Sequence, residues 1–240
     1  MELVFVAGAA GVIGRRLCPM LVADGWQVTG TTRSPARAAL LRAIGVEPAV
    51  VDVFDAETVH AAVTAARPQI VLHQLTDLPP GLDPAQMAAA RPRNAVVRER
   101  GTRHLIAAAL AAGARRFIAQ SVAFAYASGP QPYREDAPLA TEAGDAGVTA
   151  RGVLSLERQV LEAPLQGLVL RLGRLYGPGT GFDRPASVAP VHVDAAADAM
   201  RRALTRGAPG VYNVAEDDGT VDSRRALEAL GWRSDFRCRD

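Results

Sequence analysis

Nothing narrows the fold of this chain as much as its opening. The apolar run 2–7 (ELVFVA) leads straight into Gly8-Ala9-Ala10-Gly11-Val12-Ile13-Gly14, and helical periodicity follows over 12–23. Strand, glycine turn and helix in that order form the first half of a βαβ unit. Glycines let backbone N–H groups approach a pyrophosphate, the helix N-terminus adds positive partial charge, and the last glycine permits close packing of helix on strand. The spacing is GxxGxxG, not the GxGxxG of the dinucleotide fingerprint, so the strand-turn-helix context carries the reading.

The rest of the chain continues the alternation. Strand signals fall at 26–31, 48–51, 69–73, 116–120, 167–171 and 211–214. Helical signals fall at 35–44, 56–66, an Ala-rich stretch ending at Gly113, 148–162, 194–205 and 223–230. This predicts a mostly parallel sheet with helices on both faces, a Rossmann-type doubly wound α/β fold carried by a single domain over 1–240. Two Gly/Pro-rich stretches, 127–147 and 177–190, interrupt the pattern, and loops of that length in a compact domain are more often functional than idle. Together with the C-terminus they are expected to form a small lobe over the carboxyl edge of the sheet.

Composition excludes several functions. At 240 residues, 49% hydrophobic and 22% charged, the chain has the makings of a substantial core without a metal or disulfide staple. Cys18 and Cys238 stand far apart, with no CxxC or His/Cys cluster, so no metal site is expected and a reducing cytoplasm is the default location. The net charge of +2, with no run of like charges, argues against a nucleic-acid partner. No stretch approaches ~20 uninterrupted apolar residues and no signal peptide is visible, so no membrane partner is expected. All 27 basic residues are arginine; the chain contains no lysine.

About 20 residues past the glycines, a site for NAD presents an acid to the ribose 2′-hydroxyl. Here that position reads Thr31-Thr32-Arg33-Ser34, without an acid. Arg33, helped by Ser34 and Arg37, offers planar donors suited to a 2′-phosphate, which favours NADP over NAD. Asp52-Val53 fall where a carboxylate would accept from the adenine amino group, whereas Asp55 is the better cap for the helix that follows.

The segments 8–14, QIVLHQLT (69–76), RERGTRHLIAAALAAGARRFIAQS (98–121), LVLRLGRLYGPGT (168–180), PVHVDAAADAM (190–200) and GVYNVAEDD (210–218) lie along nearly the whole chain. In them the chain resembles the extended and atypical short-chain dehydrogenase/reductase superfamily, in particular its NAD-dependent epimerase/dehydratase group. The resemblance implies that Gly8, Gly11, Val12, Ile13 and Gly14 hold the pyrophosphate, Arg33 and Ser34 the ribose end, and Asp52 and Val53 the adenine. It implies further that Gln74 and Leu75 line the cofactor, that Gln120 and Ser121 sit near the nicotinamide ribose, and that Leu172 and Gly173 approach the nicotinamide.

The superfamily's proton chemistry uses a tyrosine followed four residues later by a lysine that lowers the phenol pKa. That element is missing. Four residues after Tyr126, Tyr133, Tyr176 and Tyr212 stand Pro130, Ala137, Thr180 and Glu216. Aligning Glu157 with the family's helix glutamate places Thr149 and Val153 at the tyrosine and lysine positions. Ser121 and Tyr126 are left as the catalytic candidates, Tyr126 at a position that is mainly structural in the family and Val122 at the usual serine. His73 and His192, the latter ahead of a helix capped by Asp194, read as packing histidines, and Glu135-Asp136 as a solvated turn.

Only a short segment separates the YGPG turn from the HVD segment, so the lobe is abridged and sugar-nucleotide substrates are disfavoured. The reading is an NADP-dependent oxidoreductase acting on a small carbonyl or alcohol through a non-standard site, with a small-molecule substrate as partner and a homodimer left open. The alternatives are a catalytically silent NADP-binding sensor or interaction protein, and an epimerase, dehydratase or isomerase relative.

Overall fold

The computed structural model describes residues 2–142 and 144–238; Ala143, inside the 127–147 loop, and the C-terminal Arg239 and Asp240 lie outside the described residues. In chain order the elements are β1 (Leu3–Ala7), α1 (Gly14–Ala23), β2 (Gln27–Thr32), α2 (Pro35–Ala43), β3 (Glu47–Val50), α3 (Ala56–Ala66) and β4 (Ile70–His73). There follow α4 (Pro84–Val96), α5 (Thr102–Ala111), β5 (Arg116–Val122), α6 (Asp145–Glu162) and β6 (Gln166–Leu172). The last are β7 (Arg174–Tyr176), β8 (Pro190–His192), α7 (Val193–Ala203), β9 (Gly210–Val214) and α8 (Arg224–Leu230). Seven strands form one parallel sheet in the order β3-β2-β1-β4-β5-β6-β9, the doubly wound order with β9 added at one edge.

The apolar runs seen in the sequence follow from burial on both faces of the sheet. In β1, Val4 and Val6 pack with Leu17, Leu21, Met200 and Trp232, while Phe5 and Ala7 pack with Val59, Val63, Leu105 and Leu156. One face is thus covered by α1, α7 and α8, the other by α3, α5 and α6. Burying each large side chain contributes about 1.5–3 kcal/mol. Trp232, fully buried, also satisfies its indole N–H, which donates to the Ala195 carbonyl at 2.8 Å. Because β2 and β4 flank β1 on opposite sides, a crevice opens at the carboxyl ends of β1 and β4.

Several local readings change. Helix α1 begins at Gly14 rather than residue 12, because Gly8 to Ile13 are spent in the turn, where Gly11 N donates to Gly8 O at 3.0 Å. The Ala-rich stretch is not one α-helix; a π-helical turn, Val97–Gly101, joins α4 to α5. Asp55 caps α3 as expected, accepting from the backbone N–H groups of Glu57 and Thr58 at 3.1 Å each. Asp194, however, does not cap α7. His192 does, its Nδ1 accepting from Asp194 N at 3.2 Å, while the Asp194 carboxylate is taken by Arg16 Nε at 2.6 Å and Cys238 N at 3.0 Å. The parallel pair β7–β8 was not anticipated, since three-residue strands beside Gly/Pro loops carry no periodicity. The 127–147 stretch docks by isolated bridges, Tyr126 to Leu139 and Tyr133 to Val221. Among the described residues no helix is long and apolar enough to cross a membrane, and no cluster of His, Cys, Asp and Glu could hold a metal.

Candidate functional site: a dinucleotide cleft

The glycine turn forms one wall of the crevice. Gly8 has φ +95°, and a Cβ there would lie 3.0 Å from the Gln74 carbonyl oxygen, so the turn can approach the β4 side only as glycine. A Cβ on Gly14 would lie 2.4 Å from the Ala9 carbonyl, so its glycine serves the packing of helix on turn. The turn is pinned to β2, since Gly8 N donates to Thr31 Oγ1 at 3.0 Å.

Beyond the turn lies a cleft of about 840 Å³, part of it open solvent. Gly8, Gly11, Arg33, Arg37, Val53, Gln74 and Leu75, all anticipated from the sequence, line it together with Phe54, Thr76 and Asp77. Val53 and Phe54 give it an apolar wall. Gln74 is buried, yet neither its Oε1 nor its Nε2 has a partner among the described residues. An unsatisfied buried amide costs about 1–3 kcal/mol, and the polar groups of a bound ligand would remove that cost. A glycine cradle that a Cβ would fill, an orphaned amide and arginines at the rim fit a dinucleotide.

The other anticipated residues stand around this cleft rather than in its lining. Val12 and Ile13 close the turn and Gly14 opens α1. Ser34 caps α2, its Oγ accepting from Arg37 N at 3.4 Å, and the exposed Asp52 accepts from Phe54 N at 3.0 Å. Gln120, Ser121, Tyr126, Leu172 and Gly173 sit at or just beyond the carboxyl ends of β5 and β6.

There the dominant feature is a buried network. Ser121, fully buried, donates to Glu157 Oε1 at 2.6 Å, and Glu157 receives Arg171 through Nε at 2.9 Å and Nη2 at 2.7 Å. Arg171 Nη1 donates to the Tyr126 hydroxyl at 2.9 Å, which in turn donates to Asn213 Oδ1 at 2.5 Å. Burial works against the Arg171 charge, but the bonds to Glu157 outweigh it and hold the guanidinium protonated. For Tyr126 burial prevails over Arg171 and raises the phenol above its ordinary value. On α6, Thr149 is half-buried and Val153 packs with Val122, Ala125 and Ala150.

Two further buried groups complete this region. Arg98, in the π-helical turn, has its guanidinium lowered to about 10 by burial against the attraction of Glu157, so it remains a cation at neutral pH. His73 is pushed down to about 3 by burial and by Arg98. Its Nδ1 accepts from Leu75 N at 3.3 Å, so Nε2 carries the hydrogen and donates to Thr102 Oγ1 at 3.0 Å. The packing reading of His73 agrees with this arrangement.

Sequence reasoning missed Asp77 and its neighbours. Asp77 Oδ2 accepts from Arg93 Nε at 3.1 Å, its Oδ1 lies 3.5 Å from Arg33 Nη2, and its N–H donates to the buried Asn94 at 2.9 Å. The position of Asp77 just past β4 was a usable signal, because the carboxyl ends of strands flanking the switch point bind ligands. Nothing local marks Arg93 or Asn94, which arrive through the return of α4.

The fold and this cleft together define a dinucleotide-binding protein of the Rossmann class. A family model described as NAD(P)H-binding matches residues 8–153. A 3-diazoavenalumate denitrifying reductase from a Streptomyces species is 43% identical over 237 residues, covering 90% of this chain and 76% of that protein. In structure the chain is similar to a UDP-glucose 4-epimerase from Thermotoga maritima, solved with UDP-glucose (TM-score 0.79, 19% identity, 98% and 94% of the two chains). It is also similar to the UDP-glucose 4-epimerase of Thermus thermophilus in complex with NAD (TM-score 0.70, 24% identity, 97% and 84%). The chain belongs to the NAD(P)H-binding family.

Proposed function

We propose that this chain is an NADPH-dependent reductase that delivers hydride to a small aromatic diazo acid with loss of dinitrogen. One contrast carries the reading. The cofactor half of the crevice is built, with its glycine cradle and orphaned Gln74 amide, while the chain contains no lysine, so no tyrosine is followed four residues later by the cation that would lower its pKa. Reduction of a ketone leaves an alkoxide that must be protonated. Replacement of a diazonium group by hydride needs no proton. The C–H bond forms at the ring carbon, the C–N bond breaks, and its electron pair leaves with neutral dinitrogen.

The 43% identical relative is named for denitrifying a diazo compound, which supports this chemistry over the small carbonyl or alcohol that the sequence suggested. When bound, NADPH supplies the hydride. The chain's own residues hold the adenosine half through Val53, Phe54 and Gln74 and the 2′-phosphate through Arg33 and Arg37. Tyr126 bounds the substrate end as a polar group within the Glu157–Arg171 network, while Ser121, fully buried and committed to Glu157, supports that network from behind. The stretches 127–147 and 177–190 form the small lobe over it.

The test uses a diazo-hydroxybenzoate with NADPH deuterated at C4. Dinitrogen release and deuterium on the ring carbon are expected, at rates that fall to background with Gly11→Val. Absence of ring deuterium, or faster turnover of simple ketones, would overturn the substrate assignment. Cofactor binding without any hydride transfer would favour the silent NADP-binding alternative. Arg33→Ala should weaken NADP about 10- to 150-fold and leave NAD unchanged, from a charge-assisted contact of roughly 1.5–3 kcal/mol.

A further inference from the structure

We propose that Asp77 sets the cofactor preference of this chain by competing with a 2′-phosphate for Arg33 and Arg93. The inference deepens the reading above and rests on the adenosine ribose lying between Arg33 and Asp77.

In sequence the ribose end is purely cationic, because β2 ends without an acid. In the folded chain the acid arrives from the other side of the cleft, on the segment after β4. Asp77 is the least exposed member of the group, its side chain 24% exposed against 62% for Arg33 and 56% for Arg93. It is also the anchored one, since its backbone N–H is tied to Asn94, itself 4% exposed. The backbone that carries the carboxylate is therefore held in place, while the two more exposed guanidiniums have room to reorient. Its contact with Arg33, at 3.5 Å, is at the edge of hydrogen-bonding distance, a loose pairing that a better anion can take over. Three residues earlier on the same segment, the orphaned amide of Gln74 independently marks this wall as one that meets a ligand.

The two cofactors meet this arrangement differently. A ribose 2′-hydroxyl can donate to the Asp77 carboxylate, the role that an acid on β2 plays in NAD sites. A 2′-phosphate gains Arg33 and Arg93, with Arg37 nearby, but displaces Asp77 from both and meets its charge. Asp77 thus supports NAD and limits NADP, and the chain's preference is the difference between these effects.

The experiment is calorimetric titration of the wild type, Asp77→Asn and Arg93→Gln with NADP, NAD, adenosine 2′,5′-bisphosphate and 5′-AMP; the last two probe the ribose end alone. Thermal unfolding confirms that each variant is folded. Asp77→Asn keeps the shape and removes the charge, and it should raise the ratio of 2′-phosphorylated to unphosphorylated affinity about 5- to 20-fold, as expected for a unit charge ~5 Å away in a solvent-screened site. Arg93→Gln should lower the same ratio, and both shifts should shrink at high salt. A ratio that stays within about twofold of wild type in folded Asp77→Asn overturns the proposal while leaving the cofactor reading intact. A wild type that prefers NAD, with the ratio still rising in Asp77→Asn, overturns the NADP preference and supports the role of Asp77. Failure of all four compounds to bind the wild type overturns both.

Discussion

Acidification should destabilise this protein through one histidine. His73 sits at the end of β4, fully enclosed, with both ring nitrogens committed: Nδ1 accepts from Leu75 N and Nε2 pairs with Thr102 Oγ1. A second proton has nowhere to go, because it would turn Nδ1 into a donor facing the Leu75 N–H, within the field of Arg98. Burial and Arg98 accordingly push the imidazole from 6.5 down to about 3 in the folded chain. The unfolded chain binds a proton near pH 6.5 that the folded chain refuses until about pH 3, so stability contributed by neutral His73 is complete above pH 6.5 and is lost progressively as pH falls towards 3. At pH 5 the loss is 1.5 pH units at 1.36 kcal/mol each, about 2 kcal/mol.

Urea unfolding of the wild type and of His73→Gln at pH 8, 6.5 and 5 isolates this contribution. Carboxylates and the other histidines titrate in both proteins and cancel in the comparison. The wild type should lose about 2 kcal/mol more than His73→Gln between pH 8 and 5, whatever their absolute stabilities. Parallel stability-versus-pH curves for the two proteins would refute the reasoning.

Three further outcomes follow from the glycine turn and the buried network. Gly11→Val should abolish NADP binding by titration and lower the thermal midpoint only modestly, since a Cβ there would lie 3.1 Å from the Gly8 carbonyl oxygen and distort the turn that walls the cleft. Gly14→Ala should instead lower stability by about 1–3 kcal/mol, because its Cβ would meet the Ala9 carbonyl at 2.4 Å. Glu157→Gln should cost about 3–5 kcal/mol in chemical unfolding, by stripping Arg171 of its charged partner and Arg98 of its counter-charge in a buried site.

Legibility in the sequence followed the range of the signal. The strands of the central sheet could be read because burial on both faces makes them continuous apolar runs, and Asp55 could be read because a cap is a local pattern. The glycine turn identified Gly8 and Gly11 as cleft residues for the same reason. Cleft residues past the ends of β3 and β4 were legible only as far as Val53, Gln74 and Leu75, through resemblance. Asp77, Arg93 and Asn94 come together across 16 or 17 residues of chain, a distance at which no periodicity reports on contact. Ser121 and Tyr126 were visible as polar candidates, but their partners Glu157, Arg171 and Asn213 depend on how α6, β6 and β9 are laid side by side. The π-helical turn that buries Arg98 has no sequence signature of its own; Gly101, whose Cβ would lie 3.1 Å from Val53 Cγ2, was its nearest marker.

The electrostatics of the substrate end lead to a final expectation about rate and pH. A general acid or base that operates near neutrality must titrate near neutrality. The four groups with shifted pKa values at the carboxyl ends of β4 to β6 all lie away from neutrality. His73 is held neutral, burial raises Tyr126 above the ordinary phenol value, Arg98 stays charged up to about 10, and pairing with Glu157 keeps Arg171 protonated. His192, on β8, is lowered by burial and then by Arg237, and its Nδ1 is occupied by the Asp194 N–H. Single-turnover NADPH oxidation with a diazo substrate whose own groups do not ionise between pH 6.5 and 9 should therefore show a flat rate over that range, with no solvent deuterium isotope effect above about 1.5 on the hydride step. A limb with an apparent pKa inside that range, removed by Tyr126→Phe while NADP affinity holds, would make Tyr126 a working acid and return the chain to proton-coupled carbonyl chemistry.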